Sequence, residues 1–126
     1  MLDAGVAIGW IQGRHRSFRK LDRLFESGLA GGPDLVMSVV NLAEVLLHTA
    51  DLAHATGVDP LALLRASGVR MHLPDEVVAR RVAGLRTSLA DGFAAATALE
   101  LGARLHTTDA ELVRRLRGVE LAITQY

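Results

Sequence analysis

Four acidic residues lie far apart in the chain, and three of them fall at the start of a predicted helix. They are Asp3, Glu44, Asp91 and Asp109. In an α/β fold the loops that leave the strand ends converge on one crevice. Carboxylates delivered there repel one another, and a hard divalent cation with oxygen ligands relieves that repulsion. The placement of the four acids therefore predicts a shared divalent-cation site.

Each acid also has a purely structural interpretation. Three segments have the form of a helix capping box, namely Asn41 to Glu44, Ser88 to Asp91 and Thr108 to Glu111. Asp109 would then complement the helix dipole. For a single acid the capping interpretation is favoured, except for Asp3, because aspartate is disfavoured in a strand. The functional interpretation rests on the joint placement, since helices that follow parallel strands start at the same edge of the sheet.

Composition narrows the class of protein. The 126 residues suit one domain, 1–126, and half of them are hydrophobic although only 4% are aromatic. No apolar run approaches the ~20 residues that span a bilayer, and no signal peptide is visible. The absence of cysteine excludes disulfides and thiolate metal sites. We expect a cytoplasmic protein with no membrane contact.

The net charge of zero conceals an uneven distribution of basic residues. Fourteen basic side chains balance fourteen acids, and thirteen of the basic ones are arginine, which binds phosphate with two donors. If four acids share one pocket, basic residues outnumber acids over the rest of the surface. Two clusters stand out, an early one and a late one: Arg14, Arg16, Arg19, Lys20 and Arg23, then Arg114, Arg115 and Arg117. Each is a candidate phosphate-binding surface or an ordinary solvated helix face.

Strands and helices alternate along the sequence, without a linker or a repeat. Strands are predicted at 1–4, 35–38, 69–73, 104–106 and 119–124. Helices are predicted from about residue 5 to 11, at 15–28, 41–56, 60–67, 74–86, 88–100 and 108–117. Parallel strands need crossover helices, so the alternation predicts an α/β fold with a central parallel sheet that is covered on both faces.

Four segments carry a resemblance to a known family. They are Leu2-Asp3-Ala4, residues 38–44, residues 88–98 with the sequence Ser-Leu-Ala-Asp-Gly-Phe-Ala-Ala-Ala-Thr-Ala, and residues 101–109 with the sequence Leu-Gly-Ala-Arg-Leu-His-Thr-Thr-Asp. Over essentially the whole chain they resemble the PIN domain, specifically the VapC ribonuclease toxins of bacterial toxin–antitoxin pairs. The resemblance implies a PIN-like three-layer α/β/α fold with a central parallel sheet.

The resemblance also implies an activity and a set of partners. The activity is divalent-metal-dependent hydrolysis of RNA at a single-stranded region of a structured molecule, with Mg2+ or Mn2+ activating a water. By position, Asp3, Glu44, Asp91 and Asp109 would be the acidic ligands and Thr107 a supporting hydroxyl. The implied partners are a second copy of the chain and a VapB-like antitoxin, whose tail would place a basic side chain among the acids.

Two departures from the family pattern leave an alternative open. Gly5 stands where Ser, Thr or Asn is usual, which predicts the loss of one supporting hydrogen bond. Only two residues precede Asp3, so the first strand is unusually short. The alternative is a degenerate PIN-fold protein that acts as a binding partner with weak or no nuclease activity.

Other kinds of site have weaker support in the sequence. A receiver-like phosphoacceptor domain would need adjacent acids and a nearby lysine, and the only lysine is Lys20. His48, Asp51 and His54 spread over about 120° of a helix, which favours a solvated face over a zinc site. No G-x-S-x-G sequence frames a serine nucleophile.

Overall fold

The computed structural model describes all 126 residues and contains seven helices and four short strands. The helices are α1 (Ala4–Gln12), α2 (Phe18–Leu29), α3 (Val39–Thr56), α4 (Pro60–Ala66), α5 (Glu76–Leu85), α6 (Leu89–Glu100) and α7 (Ala110–Arg115). The strands are β1 (Val36–Ser38), β2 (Arg70–His72), β3 (Leu105–Thr107) and β4 (Ile123–Gln125). None of the helices is both long and apolar enough to cross a membrane.

The strands form a parallel sheet whose centre is the start of the chain. β1 pairs with β2 and β3 pairs with β4, while Leu2 bridges Met37 on one side and His106 on the other. The order across the sheet is therefore β2, β1, Leu2, β3, β4. The Leu2 N–H donates to Val36 O over 2.7 Å, and the Asp3 N–H donates to His106 O over 3.0 Å. The strand predicted at 1–4 is reduced to an isolated bridge at Leu2, because α1 begins at Ala4 with Asp3 as its N-cap.

Alternate residues of the central strands belong to two hydrophobic clusters, one on each face of the sheet. Leu2 and Met37 belong to a cluster with side chains of α1, α2, α3 and α4. Met1 and Val36 belong to a second cluster with side chains of α6 and α7. Because side chains alternate between faces along a strand, the clusters are separate layers. The predicted three-layer α/β/α architecture is confirmed.

Several predicted boundaries need correction. α3 begins at Val39 and not at residue 41, because the buried Ser38 is its N-cap and accepts a hydrogen bond from the Val40 N–H over 3.2 Å. α2, α5 and α7 each start about two or three residues later than predicted. The last strand covers only Ile123–Gln125, because a turn with Gly118 at φ +92° follows α7. Such shifts are ordinary where end residues fit a turn as well as a helix.

Candidate metal and catalytic site

Asp3 is the most enclosed of the four acids. It is the N-cap of α1 and is only 4% exposed, although its side chain caps no backbone N–H of the helix. Its Oδ2 instead accepts a hydrogen bond of 2.8 Å from the hydroxyl of Thr107, a fully buried residue at the end of β3. The central strand and its neighbour thus deliver a carboxylate and a hydroxyl to the same edge of the sheet.

The surroundings of Asp3 oppose its ionisation. The pKa of its carboxyl is raised from 3.8 to about 6, mainly because the group is buried, while the hydrogen bond from Thr107 acts in the opposite direction. The negative charges of Asp91 and Glu44 also contribute to the raised pKa, after burial, which is the largest cause. Asp91 and Glu44 are therefore each close enough for their charge to act on Asp3. No arginine, lysine or histidine forms an ion pair with Asp3 or Asp91.

Asp91 lies in the first turn of α6, and only half of the predicted capping box forms, because its carboxylate accepts from the Ser88 hydroxyl and not from the Ser88 N–H. The Ser88 hydroxyl donates to Asp91 Oδ2 over 2.6 Å, and the Asp91 N–H donates back to Ser88 Oγ over 3.3 Å. The side chain is therefore held by its own helix. Only one of its carboxylate oxygens is used in this way.

Glu44 lies one turn into α3, and its helix position corrects the capping-box interpretation of residues 41–44. Asn41 is inside the helix and not at its cap, since the helix begins at Val39. Its side-chain amide is buried and donates to Ala90 O over 3.1 Å, which ties α3 to the start of α6 beside Asp91. Glu44 is thus free of a capping role, and its only ion-pair partner is the exposed His48, 4.0 Å away.

Asp109 is linked to Asp3 through Thr107. Its N–H donates to Thr107 Oγ1 over 3.0 Å, so one hydroxyl connects the Asp3 carboxylate with the Asp109 backbone. The Asp109 carboxylate caps α7 by accepting a hydrogen bond from the Glu111 N–H over 2.7 Å. The predicted capping box at 108–111 is wrong, because Asp109 and not Thr108 is the N-cap.

We call Asp3, Glu44, Asp91, Asp109 and Thr107 together the acidic site. As the side chains are placed, no three aspartate, glutamate or histidine residues form a group that could hold one metal ion. The donor set nonetheless fits a hard cation, because it consists of carboxylate and hydroxyl oxygens and, apart from the contact of Glu44 with the exposed His48, its acids have no cationic partner. In addition, Asn41 Oδ1 is buried without a hydrogen-bond partner beside this set. It stays a prediction that the four acids are metal ligands and that they and Thr107 are catalytic residues.

Two residues near the acidic site were missed as contributors by sequence reasoning. The sequence predicts a helix cap at Asn41, which is instead a buried bridge between α3 and α6. The sequence also predicts a helix cap at Thr108, whose hydroxyl instead lies next to Gly5. A signal for Asn41 was available, because Ser38 one residue after an apolar strand is the better N-cap. Nothing in the sequence pairs residue 5 with residue 108.

The two basic clusters differ in their ion pairing. Arg114 and Arg115 both contact Glu111, so much of the late cluster is neutralised. The early cluster forms no ion pair with an acid, and all of its members except Arg14 line an open depression of ≈ 700 Å³ at the start of α2, together with Ser17 and Phe18. His48, Asp51 and His54 are exposed on α3, as expected of a solvated face. The early cluster is therefore the stronger candidate for binding an anion.

Comparison with known proteins gives a family for the sequence and a similar fold for the structure. The sequence profile of the PIN domain matches residues 1–118. The fold is similar to that of a chain in a toxin–antitoxin complex from Klebsiella pneumoniae, with a TM-score of 0.72 and 20% sequence identity over 99% of this chain and 96% of that one. No protein of curated function matches the sequence. The chain belongs to the PIN domain family.

Proposed function

We propose that this chain is a divalent-metal-dependent endoribonuclease that acts as the toxin of a toxin–antitoxin pair of the VapC kind. The observation that carries the proposal is the buried Asp3, whose pKa is raised by burial and by the neighbouring charges of Asp91 and Glu44. A buried carboxylate surrounded by other carboxylates is destabilising in itself. Its presence at the edge where parallel strands end is explained if a cation binds there.

In this proposal Asp3, Asp91, Asp109 and Glu44 hold Mg2+ or Mn2+, and Thr107 orients Asp3. The metal supplies an activated water and neutralises charge on the scissile phosphate when it is bound. Thr107 fixes Asp3 by donating to Oδ2, so the remaining carboxylate oxygen faces away from that bond. Asp91 and Asp109 each use one oxygen for a helix cap and retain the other.

The proposed substrate is a single-stranded region of a structured RNA. Residues 16–20 and Arg23 form an open, positively charged depression that has no acidic partner. Arginine and lysine there would bind the phosphate backbone, which gives affinity without sequence preference. The chain has few aromatic residues for base stacking, so the proposal assigns most of the binding energy to phosphate contacts.

The proposed partners are a VapB-like antitoxin and a second copy of the chain, with the cytoplasm as the place of action. Two leucines of α3 support an interaction surface, since Leu46 is 39% exposed and Leu47 is 73% exposed. The neighbouring end of α3 and the start of α4 form a largely apolar groove of ≈ 310 Å³. The similar Klebsiella chain is described as part of a toxin–antitoxin complex, which supports an antitoxin partner for this chain.

A second candidate function is a PIN-fold binding partner with weak or no nuclease activity. It is favoured by one observation, that no three ligands converge on a single point. An RNA cleavage assay with added Mn2+, with EDTA, and with the Asp3→Asn variant separates the candidates. The nuclease proposal predicts cleavage that both EDTA and the substitution abolish, with Glu44→Gln less severe. Absence of cleavage by the wild-type protein, or cleavage that survives both changes, would contradict it.

Growth experiments test the toxin assignment separately. Expression of the chain alone should arrest growth, and co-expression with the antitoxin from the neighbouring gene should restore it. The purified complex should have little ribonuclease activity. A harmless chain that binds no such partner would contradict the toxin role but not the nuclease chemistry.

A further inference from the structure

Gly5 lies in the first turn of α1, two residues after Asp3, and is in close contact with Thr108. A Cβ atom built on Gly5 would lie 2.5 Å from Thr108 Oγ1 and 3.6 Å from Asp3 Oδ2. The first distance is far shorter than a normal contact, so a side chain at residue 5 would displace the threonine hydroxyl. Glycine destabilises a helix relative to alanine, so its presence here calls for a local reason. The close approach of Thr108 provides one.

The hydroxyl of Thr108 has no hydrogen-bond partner in the chain. Thr107, the preceding residue, uses its hydroxyl twice, as a donor to Asp3 and as an acceptor from Asp109. The Thr108 hydroxyl takes part in no such bond, although it and Asp3 Oδ2 both lie within 4 Å of the position that a Cβ atom on Gly5 would take. A hydroxyl offers one donor and two acceptor positions. This one is therefore available to an oxygen atom that binds next to Asp3.

We propose that Thr108 is a positioning residue of the acidic site and that Gly5, which has no side chain, leaves room for the Thr108 hydroxyl. The Thr108 hydroxyl occupies the place a side chain at residue 5 would take, and it hydrogen-bonds an oxygen atom bound beside Asp3. That oxygen belongs either to a water on the bound metal or to an RNA phosphate. The inference rests on the proposed nuclease function. It also reinterprets Gly5, since Thr108 replaces the hydrogen bond that this glycine was predicted to remove.

A double-mutant cycle in metal-free protein tests whether a side chain at residue 5 would clash with the Thr108 hydroxyl. Gly5→Ala should lower the melting temperature, or raise it little, because the new methyl group meets the Thr108 hydroxyl. In a Thr108→Ala background the same change should raise it, since Thr108 Cβ is 3.8 Å from the added atom and alanine favours the helix. We expect the two effects to differ by about 5 °C. Equal effects in both backgrounds would overturn the pairing of residues 5 and 108.

The functional part is tested with Thr108→Val, which keeps the shape and removes the hydroxyl, and Thr108→Ser, which keeps the hydroxyl. Mn2+ affinity is measured without RNA, and RNA cleavage is measured at saturating Mn2+. We expect the valine variant to lose about 10-fold in at least one assay and the serine variant to stay near wild type. A loss in Mn2+ affinity identifies a metal-bound water, and a loss only in cleavage identifies an RNA phosphate.

A relocation of the hydroxyl provides a further control. The double variant Gly5→Ser with Thr108→Ala should recover part of the activity that Thr108→Ala loses, because serine at residue 5 returns an oxygen beside Asp3. If the wild-type protein binds Mn2+ and cleaves RNA and Thr108→Val does both equally well, the role of Thr108 is overturned while the proposed function stands. A wild-type protein that binds no Mn2+ and cleaves no RNA would overturn the proposed function itself.

Discussion

The buried and the exposed parts of the acidic site hold their carboxylates in different ways. Asp3 is fixed from the sheet, because its backbone pairs with β3 and its carboxylate accepts the Thr107 hydroxyl. Asp91 and Asp109 are only partly buried and are held by hydrogen bonds within the first turns of their own helices. A local cap is easily exchanged for another ligand, whereas a position set by the sheet is not. The comparison suggests a rigid anchor at Asp3 and adjustable ligands around it.

The largest effects are expected at the anchor. Asp3→Asn should reduce RNA cleavage below detection, because the most enclosed metal ligand loses its charge while its size is kept. The same change should stabilise the metal-free fold above pH 7 by up to about 3 kcal/mol, from a pKa that is raised from 3.8 to about 6. Cleavage by the wild-type protein under identical conditions is the reference.

The raised pKa of Asp3 determines how the free energy of unfolding of the metal-free protein changes with pH. Protonated Asp3 favours the folded state, so this stabilisation is complete below pH 3.8 and is lost as the pH rises through about 6. Urea unfolding in EDTA should therefore show a gap between Asp3→Asn and wild type that is wide at pH 8 and narrow at pH 4. A gap that does not change with pH would mean that burial does not perturb Asp3.

Asp109 offers a test of an adjustable ligand. Asp109→Asn should abolish cleavage with little change in stability, because asparagine caps a helix about as well as aspartate. Asp75→Asn at the start of α5 is a matched control, since Asp75 is also an N-cap acid that accepts two backbone N–H groups. The control should keep full activity. Equal activity of the two variants would remove Asp109 from the site.

Thr107 connects the two parts of the site, and its loss should have an intermediate effect. Thr107→Val removes the donor to Asp3 and the acceptor for the Asp109 N–H while keeping the side-chain shape. We expect cleavage to fall by about 10- to 100-fold, the usual cost of losing a partner of a metal ligand. Thr107→Ser should restore most of it. Similar activity of the valine and serine variants would show that the hydroxyl has no role.

The smallest effect is expected outside the acidic site, at the early basic cluster. Neutral substitutions of Arg14, Arg16 and Arg19 should lower the slope of log RNA affinity against log salt by about 2, at ~0.7 per lost single-strand phosphate contact. The same number of substitutions in the late cluster is the control, because Glu111 already contacts two of those arginines. Equal changes in slope would assign the early cluster to an ordinary solvated face.

The fold could be predicted from the sequence to a large extent, and the site only in part. Alternating apolar segments and helix stop signals such as Gly57 predict the layers. Long-range contacts carry no local signal, and the central position of Leu2 and the bond from Asn41 to Ala90 are of this kind. The contact between Gly5 and Thr108 joins residues more than a hundred positions apart, so only the structure could show it.

The central claim is that the separated acids share one cation, and Mn2+ titration by calorimetry tests it most directly. Wild type, Asp91→Asn and the capping control Asp75→Asn should be compared at pH 8, where Asp3 is ionised. We predict one binding event in wild type and in the control, and much weaker binding in Asp91→Asn. Equal binding by all three proteins, or none by the wild type, would contradict a shared site.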